Sequence, residues 1–397
     1  MIRLLVAGTF LALITFWLHR RLVRAPGLTG RSAFVADLVL VLLLVVALAA
    51  SVTGTVLDPA WARPLGFVGY SWFAAGLYLI LGILVIGVFC LGARLVRRFR
   101  TGDAPELDTP ELDTPELDTS ERPPRRALRI ATGTLVTATL VTICYGSLIE
   151  AANPRLVHST IALPGLPDGF DGLRVALITD LHVGPARGAG FVQGVVDQVN
   201  EQQPDLIVLG GDLADGTIEF VGDDLAPLAE LRAPLGVYGV SGNHEYYSDD
   251  VLSWLDHWEA LGVQTLRNEH LIVARNGDEI AVAGVHDYTA PAPDAADLPQ
   301  AIDGLSPETF VLLAAHQPKH VLEAQDLGVD LQLSGHTHGG QMWPLGYIVS
   351  AANPTVTGLD HFGDTAIYTS QGAGAWGPPV RIAAPPEISI LELVTEK

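Results

Sequence analysis

Four apolar runs dominate the first 150 residues: Leu4 to Leu18, Ala33 to Leu57 with Asp37 near its start, Leu65 to Ala93, and Ile130 to Ile149. The last three reach the roughly 20 residues a helix needs to cross a bilayer. Three such uncharged stretches in one chain do not fit the buried helices of a water-soluble core, so they predict membrane-spanning helices. The first run is shorter. It reads as a retained fourth helix or, with Arg3 before it, as a secretory signal, although no small-x-small cleavage site follows and His19-Arg20-Arg21 comes next. The expectation is an anchor of about four transmembrane helices within residues 1–150.

From Leu173 onward the pattern changes. Short apolar runs appear at Arg174 to Thr179, Leu206 to Leu209, Val237 to Val240, Ile280 to Val285, Phe310 to Ala314 and Leu331 to Leu333. Between them lie helical or loop stretches such as Phe191 to Glu201 and Asp249 to Ala260. Strands this short and apolar on both faces belong inside sheets covered on both sides, which predicts an α/β domain over residues 151–397.

Charge adds orientation. Arg20, Arg21, Arg24 and Arg31 lie between the first two runs and eight arginines lie from Arg94 to Arg129, whereas Arg63 stands alone between runs two and three. Arg-rich loops stay in the cytoplasm, so everything after Glu150 is expected outside it, with or without the first span. Within the second Arg-rich loop, Pro105-Glu-Leu-Asp-Thr109 recurs at Pro110 to Thr114 and Pro115 to Thr119. With one aliphatic residue per unit it predicts a disordered, solvated linker over 101–126.

Of the 23 basic and 44 acidic residues, 14 and 11 precede Ala151, which leaves 9 basic and 33 acidic residues and a net charge of −24 in the remainder. That balance argues against a nucleic-acid partner. A site for a phosphate compound would need its own positive charge, the usual contribution of bound metal ions. Both cysteines, Cys90 and Cys144, fall in apolar runs, so disulfide, zinc-thiolate and cysteine-nucleophile chemistry are absent after Glu150. A Cys-free domain is also compatible with an oxidising compartment.

The predicted strands end on residues that bind metals. They run into Asp180-Leu181-His182, Gly211-Asp212-Leu213-Ala214-Asp215, Gly242-Asn243-His244-Glu245, His316, and Gly335-His336-Thr337-His338. Singly, such matches arise by accident; five in order, each directly after a strand-like run, do not. In open α/β sheets the crevice beyond the strand carboxyl ends is where sites are built.

In this order the motifs resemble the calcineurin-like metallophosphoesterases, over about Leu173 to Leu393. His-Gln-Pro at 316–318, Gly-His-Thr-His-Gly-Gly-Gln at 335–341, and the stretches Gly372 to Arg381 and Pro386-Glu-Ile-Ser are similar to a branch of bacterial membrane-associated phosphodiesterases that act on phospholipid-type or other envelope substrates. The resemblance implies a β-sandwich flanked by helices. It also implies a dinuclear site with Asp180, His182 and His338 on one metal, Asn243, His316 and His336 on the other, and Asp212 bridging. Imidazole and carboxylate donors suit Mn, Fe or Zn. Attack by a metal-bridging hydroxide follows from that site, with His244 assisting the leaving oxygen and Asp215 orienting His244.

Other residues stay open. Glu245 reads as scaffold or support of the site, His286 (beside Asp287) as a substrate or ligand-supporting contact or as packing, Arg381 as a phosphate contact or a surface residue, and Trp343 and Trp376 as lipid contacts or loop aromatics. His158, His257, His270, His320 and His361 read as surface or packing residues. The leading expectation is a membrane-anchored phosphodiesterase acting on a lipid-linked or envelope phosphate ester. The alternatives are an extracytoplasmic phosphatase or nucleotide phosphodiesterase with a soluble substrate, and a non-catalytic metal- or ligand-binding membrane sensor.

Overall fold

The computed structural model describes residues 2–101, 125–248 and 250–396. The Pro-Glu-Leu-Asp-Thr repeats of the expected linker lie outside them. The chain divides into two compact units, one of Met1–Leu48 and Trp72–Ile143, the other of Ala49–Ser71 and Cys144–Lys397.

The first unit is helical, with Ile2–His19, Gly30–Ala50, Arg125–Tyr145 and most of the 43-residue helix Pro59–Thr101. Three stretches among the described residues are long and apolar enough to cross a membrane: Gly30–Ala50, Pro59–Arg97 and Arg125–Glu150. The expectation is about four, and the shorter first run, Ile2–His19, is also helical but is not one of these three. In the three spans only 11% to 22% of the most apolar window is buried. Helices that are apolar all round and unburied take lipid as their solvent.

The second unit carries two six-stranded sheets. Its strands are β1 (Arg155–Leu163), β2 (Leu173–Ile178), β3 (Leu206–Leu209), β4 (Val237–Gly239), β5 (Gln264–Thr265), β6 (Glu269–Arg275), β7 (Asp278–Gly284), β8 (Val311–Ala314), β9 (Leu331–Ser334), β10 (Gly358–Phe362), β11 (Thr365–Thr369) and β12 (Glu387–Thr395). The first sheet runs β1-β12-β2-β3-β4-β5 and the second β10-β11-β9-β8-β7-β6. In the first, β2 through β5 are parallel and β12 meets β2 antiparallel. In the second, β11, β9, β8 and β7 are parallel and the edge strands β10 and β6 are antiparallel.

Alternation along each strand explains the layering. Val175 and Leu177 of β2, and Leu206 and Val208 of β3, point into a core that also receives Ile280, Leu312, Leu331 and Tyr368 from the second sheet. Ala176, Ile178, Ile207 and Leu209 point the other way, onto the helices Ala189–Glu201 and Val251–Ala260. The first of these helices buries Val192, Val195, Val196 and Val199, the spacing of one helical face. Behind the second sheet, Ala281, Ala283 and Leu313 pack on Leu298, Ala301 and Ala324. The result is an α/β sandwich of two sheets between helices, with all six expected strands present to within two residues.

The segment Ala49–Ser71 belongs to this unit. Gly54 O accepts the Thr217 amide at 2.8 Å. Arg63 pairs with Asp224 at 2.6 Å and donates to Gly184 O at 3.3 Å. Gly66 sits so close to Pro185 that a Cβ there would collide with the proline carbonyl.

Candidate metal centre

Every motif singled out in the sequence emerges from a strand at the same edge of the sandwich. Asp180 and His182 follow β2, Asp212 and Asp215 follow β3, Asn243 and His244 follow β4, His316 follows β8, and His336 and His338 follow β9. The loops continue the strand order as a ladder: Asp180 N donates to Gly211 O (3.0 Å), His182 N to Asp212 O (3.1 Å), and Gly335 N to His316 O (2.9 Å). Residues far apart in the chain are therefore held by backbone bonds before their side chains meet.

The approach is close enough to strain the chain. Asp180, His182, Asp212, His336 and His338 all have φ between 48° and 69°, the left-handed region that side chains disfavour. Such strain persists where the surroundings over-determine it, and it collects at functional sites. A Cβ on Gly242 would collide with the Asp212 carboxylate, so only glycine admits Asp212 at that point. Glu245 is the latch: its buried carboxylate accepts the amides of Asp212 (3.0 Å), Leu213 (2.9 Å), Ala214 (3.3 Å) and Gly242 (2.8 Å). It binds the β3 loop to the β4 loop and is scaffold.

Two groups of donors result, each able to hold a cation: Asp180, His182 and His338, and Asp212, His316 and His336. A third combination, His182, Asp212 and His244, overlaps both. His182 Nε2 lies 3.8 Å from both Asp180 Oδ1 and Asp212 Oδ2, and 3.1 Å from His338 Nε2. His316 Nε2 lies 3.2 Å from Asp212 Oδ2. Carboxylates and carbonyls only accept, so the protons of His182 and His316 sit on Nδ1, which donates to Asp215 Oδ1 (2.9 Å) and to Gly210 O (2.7 Å) respectively. Both rings thus turn an Nε2 lone pair inward, the orientation expected of a ligand with its outer partner in place.

Two atoms report directly on what is meant to fill the centre. Asn243 Oδ1 and His316 Nε2 are buried without a hydrogen-bond partner among the described residues. The Asn243 amide is fixed by its other end, Nδ2 donating to Tyr247 OH at 3.0 Å. Leaving such atoms bare costs about 1 to 3 kcal/mol each, and a cation between them removes that cost. His336 and His338 are suited as neutral donors: burial brings His336 down to about 4, while burial and the Arg381 guanidinium hold His338 well below its ordinary value. The residues present fit a bound divalent metal.

His244 is different in kind. Burial lowers its pKa, but the Asp215 and Asp212 carboxylates outweigh burial and raise it to about 9. Its Nδ1 is 2.5 Å from Asp215 Oδ1, its Nε2 faces Asp212 Oδ2 at 3.9 Å, and the Trp376 ring stands edge-on at 6.1 Å. The arrangement is a protonated imidazole at the border of the ligand cluster. Beside it opens a cleft of about 340 Å³ whose lining includes Asp212, Asn243, His244, His336 and His338.

Arg381 is neither a surface residue nor a substrate contact. It is fully buried and donates to the carbonyls of Gly374 (2.7 Å), Gln371 (2.8 Å), His338 (2.8 Å) and Gly372 (3.2 Å), and its guanidinium lies 3.1 Å from the His338 ring. Nothing in Pro379-Val-Arg381 signals burial. Also unforeseen are Thr179, whose hydroxyl binds Asp180 Oδ2 at 2.7 Å, and Tyr247. His286 is buried on Tyr246 OH (3.0 Å), while Asp287 holds Gln317, the residue after His316. Trp343 and Trp376 are both exposed.

The family model described as calcineurin-like phosphoesterase matches residues 173–340. A protein of Aquifex aeolicus (strain VF5) called an uncharacterized metallophosphoesterase is 32% identical over 252 residues, covering 62% of this chain and 94% of that one. This chain is a calcineurin-like metallophosphoesterase. Two animal relatives, each called a transmembrane protein with metallophosphoesterase domain, are 36% identical (Danio rerio) and 37% identical (Bos taurus). The matches take in 65% and 67% of the metallophosphoesterase chain but only 61% and 63% of those relatives. With three apolar spans of its own, the metallophosphoesterase is a membrane protein.

Proposed function

We propose that the protein is a membrane-anchored phosphoric ester hydrolase using two divalent metal ions (Mn, Fe or Zn), and that its substrate is a phosphodiester, lipid-linked or of the cell envelope. The observation that carries the reading is the convergence of nine polar side chains on one edge of the sandwich, with Asn243 Oδ1 and His316 Nε2 buried and unpartnered among the described residues. In this reading Asp180, His182 and His338 hold one ion, Asn243, His316 and His336 the other, and Asp212 reaches both. When bound, the ions supply positive charge for the phosphate and acidify water.

The chain's own residues do the rest. His244, kept protonated by Asp215, offers Nε2–H to the leaving oxygen, and Asp215 fixes the ring's direction. His182 leans on that same Asp215 oxygen, so one carboxylate steadies a metal ligand and the acid together. The apolar spans support confinement to the membrane surface, where tethering raises encounters with a substrate in the same plane. The arginine distribution supports an extracytoplasmic catalytic domain, and the −24 charge after Glu150 disfavours nucleic acid.

The deciding experiment uses the full chain in nanodiscs loaded with Mn²⁺, assayed on bis-p-nitrophenyl phosphate, p-nitrophenyl phosphate and a phospholipid panel. Preference for diesters supports the proposal. Preference for monoesters favours the soluble-substrate phosphatase, and metal binding without hydrolysis favours the sensor. Protease accessibility of the catalytic domain in intact cells tests its side.

A further inference from the structure

The cleft before the donor groups has a second wall of different character. Besides the donor residues, Met342, Leu345, Val349, Trp376 and Pro378 line it. We propose that this wall is a subsite for a hydrocarbon chain esterified to the substrate phosphate, which makes the substrate class a phosphodiester with an aliphatic group within a few atoms of phosphorus. The proposal rests on the hydrolase reading and specifies its substrate.

Trp376 shows that the wall is built rather than incidental. It is 58% exposed, yet it is held on both sides of its backbone by the buried side chain of Gln341. Gln341 Oε1 accepts the Trp376 amide (2.9 Å), and Nε2 donates to the carbonyls of Trp376 (2.8 Å) and Pro378 (3.1 Å). Gln341 itself adopts φ 54°, a strained conformation. A strained residue spent on fixing an indole that faces water gains nothing for the folded protein alone. It gains when an apolar ligand covers the ring, because the wall is then preorganised.

Size and surroundings identify the occupant. At about 340 Å³ the cleft lies at the small end of ligand sites, about 300 to 1,000 Å³, enough for a phosphodiester and the first few methylenes. The remainder of a longer chain must run over the rim. There the helix Gly346–Ala352, preceded by Trp343, leaves Trp343, Tyr347 and Ile348 exposed, residue types that favour the membrane interface. Gly377, next to Trp376, packs on the Tyr70 ring of the same unit, with a Cβ there 3.8 Å from it. Tyr70 belongs to the spanning helix Pro59–Arg97. An aliphatic chain is the occupant that finds apolar contact both in the cleft and at its rim.

The test is inhibition of bis-p-nitrophenyl phosphate hydrolysis by symmetric dialkyl phosphates, methyl through hexyl, with the Mn²⁺-loaded full chain in nanodiscs. The inhibition constant is expected to fall with chain length, by up to roughly fourfold per buried methylene. Val349→Thr, nearly isosteric and so expected to fold, and Trp376→Ser should flatten that dependence. Leu359→Ser, at an exposed position on β10, should keep it. A flat series in the wild type, or an undiminished slope in both cleft variants as bilayer partitioning alone would give, overturns the subsite. If no ester is hydrolysed, the hydrolase reading fails, and the subsite is decided by titrating the same series against intrinsic tryptophan fluorescence in wild type and Val349→Thr.

Discussion

Asp215 binds His244 through a single contact of 2.5 Å, from Nδ1 to Oδ1. The same oxygen also accepts from His182 at 2.9 Å. If His244 is the acid of the reaction, its loss is felt according to how much the leaving oxygen needs a proton. His244→Ala should slow alkyl phosphodiesters by about 100-fold or more, and p-nitrophenyl esters, whose leaving group departs as an anion, by less than about tenfold. Steady-state kcat on both series measures this; equal losses would remove the acid role.

Asp215→Asn should reproduce part of that pattern and add another defect, because His182 loses its outer acceptor as well. Weakening of such an outer partner lowers metal affinity by about 10- to 100-fold. Metal titration followed by calorimetry should show the loss for Asp215→Asn and none for His244→Ala.

In the proposed site Asp212 reaches both metal ions. Asp212→Asn should cut bound metal, measured by elemental analysis, from two equivalents to one or fewer, and lower kcat by about a thousandfold or more. Chelation of the wild type should abolish hydrolysis and lower the melting temperature, since a ligand that binds only the folded state stabilises it. Two full equivalents retained by Asp212→Asn would end the bridging assignment.

Arg381 predicts a stability effect. Replacing it leaves several buried carbonyls without donors, at about 1 to 3 kcal/mol for each unsatisfied group. Arg381→Met should therefore lower the melting temperature sharply, and Arg381→Lys should not rescue it, because an ammonium cannot reproduce the planar fork. A phosphate-binding arginine would instead raise KM in a protein of unchanged stability.

The ligand set was legible because the chemistry is written at strand ends: an apolar run followed at once by Asp, Asn or His marks both the element and its function. The six strands found this way are apolar on both faces. β1, β6 and β10 escaped because their polar, half-exposed positions break the run, as in Glu269–Arg275 and Gly358–Phe362. β12 lies past the last motif. Arg381 was misjudged for a different reason. Its acceptors are backbone carbonyls of a loop, and backbone carbonyls have no sequence signature. Likewise Ala49–Ser71 reads as the ends of two apolar runs and the short link between them, whereas partners at Gly184, Thr217 and Asp224 draw it into the sandwich.

That last segment changes what it would mean to release the enzyme from its membrane. The polypeptide of the catalytic unit is discontinuous: it contributes Ala49–Ser71, departs, and returns at Cys144. A protease cutting after Glu150 would free the two sheets but leave Arg63 and Gly54 behind, stripping Asp224 and Thr217 of their partners. Shedding therefore delivers an incomplete fold, and the protein is best kept, purified and engineered with its anchor attached.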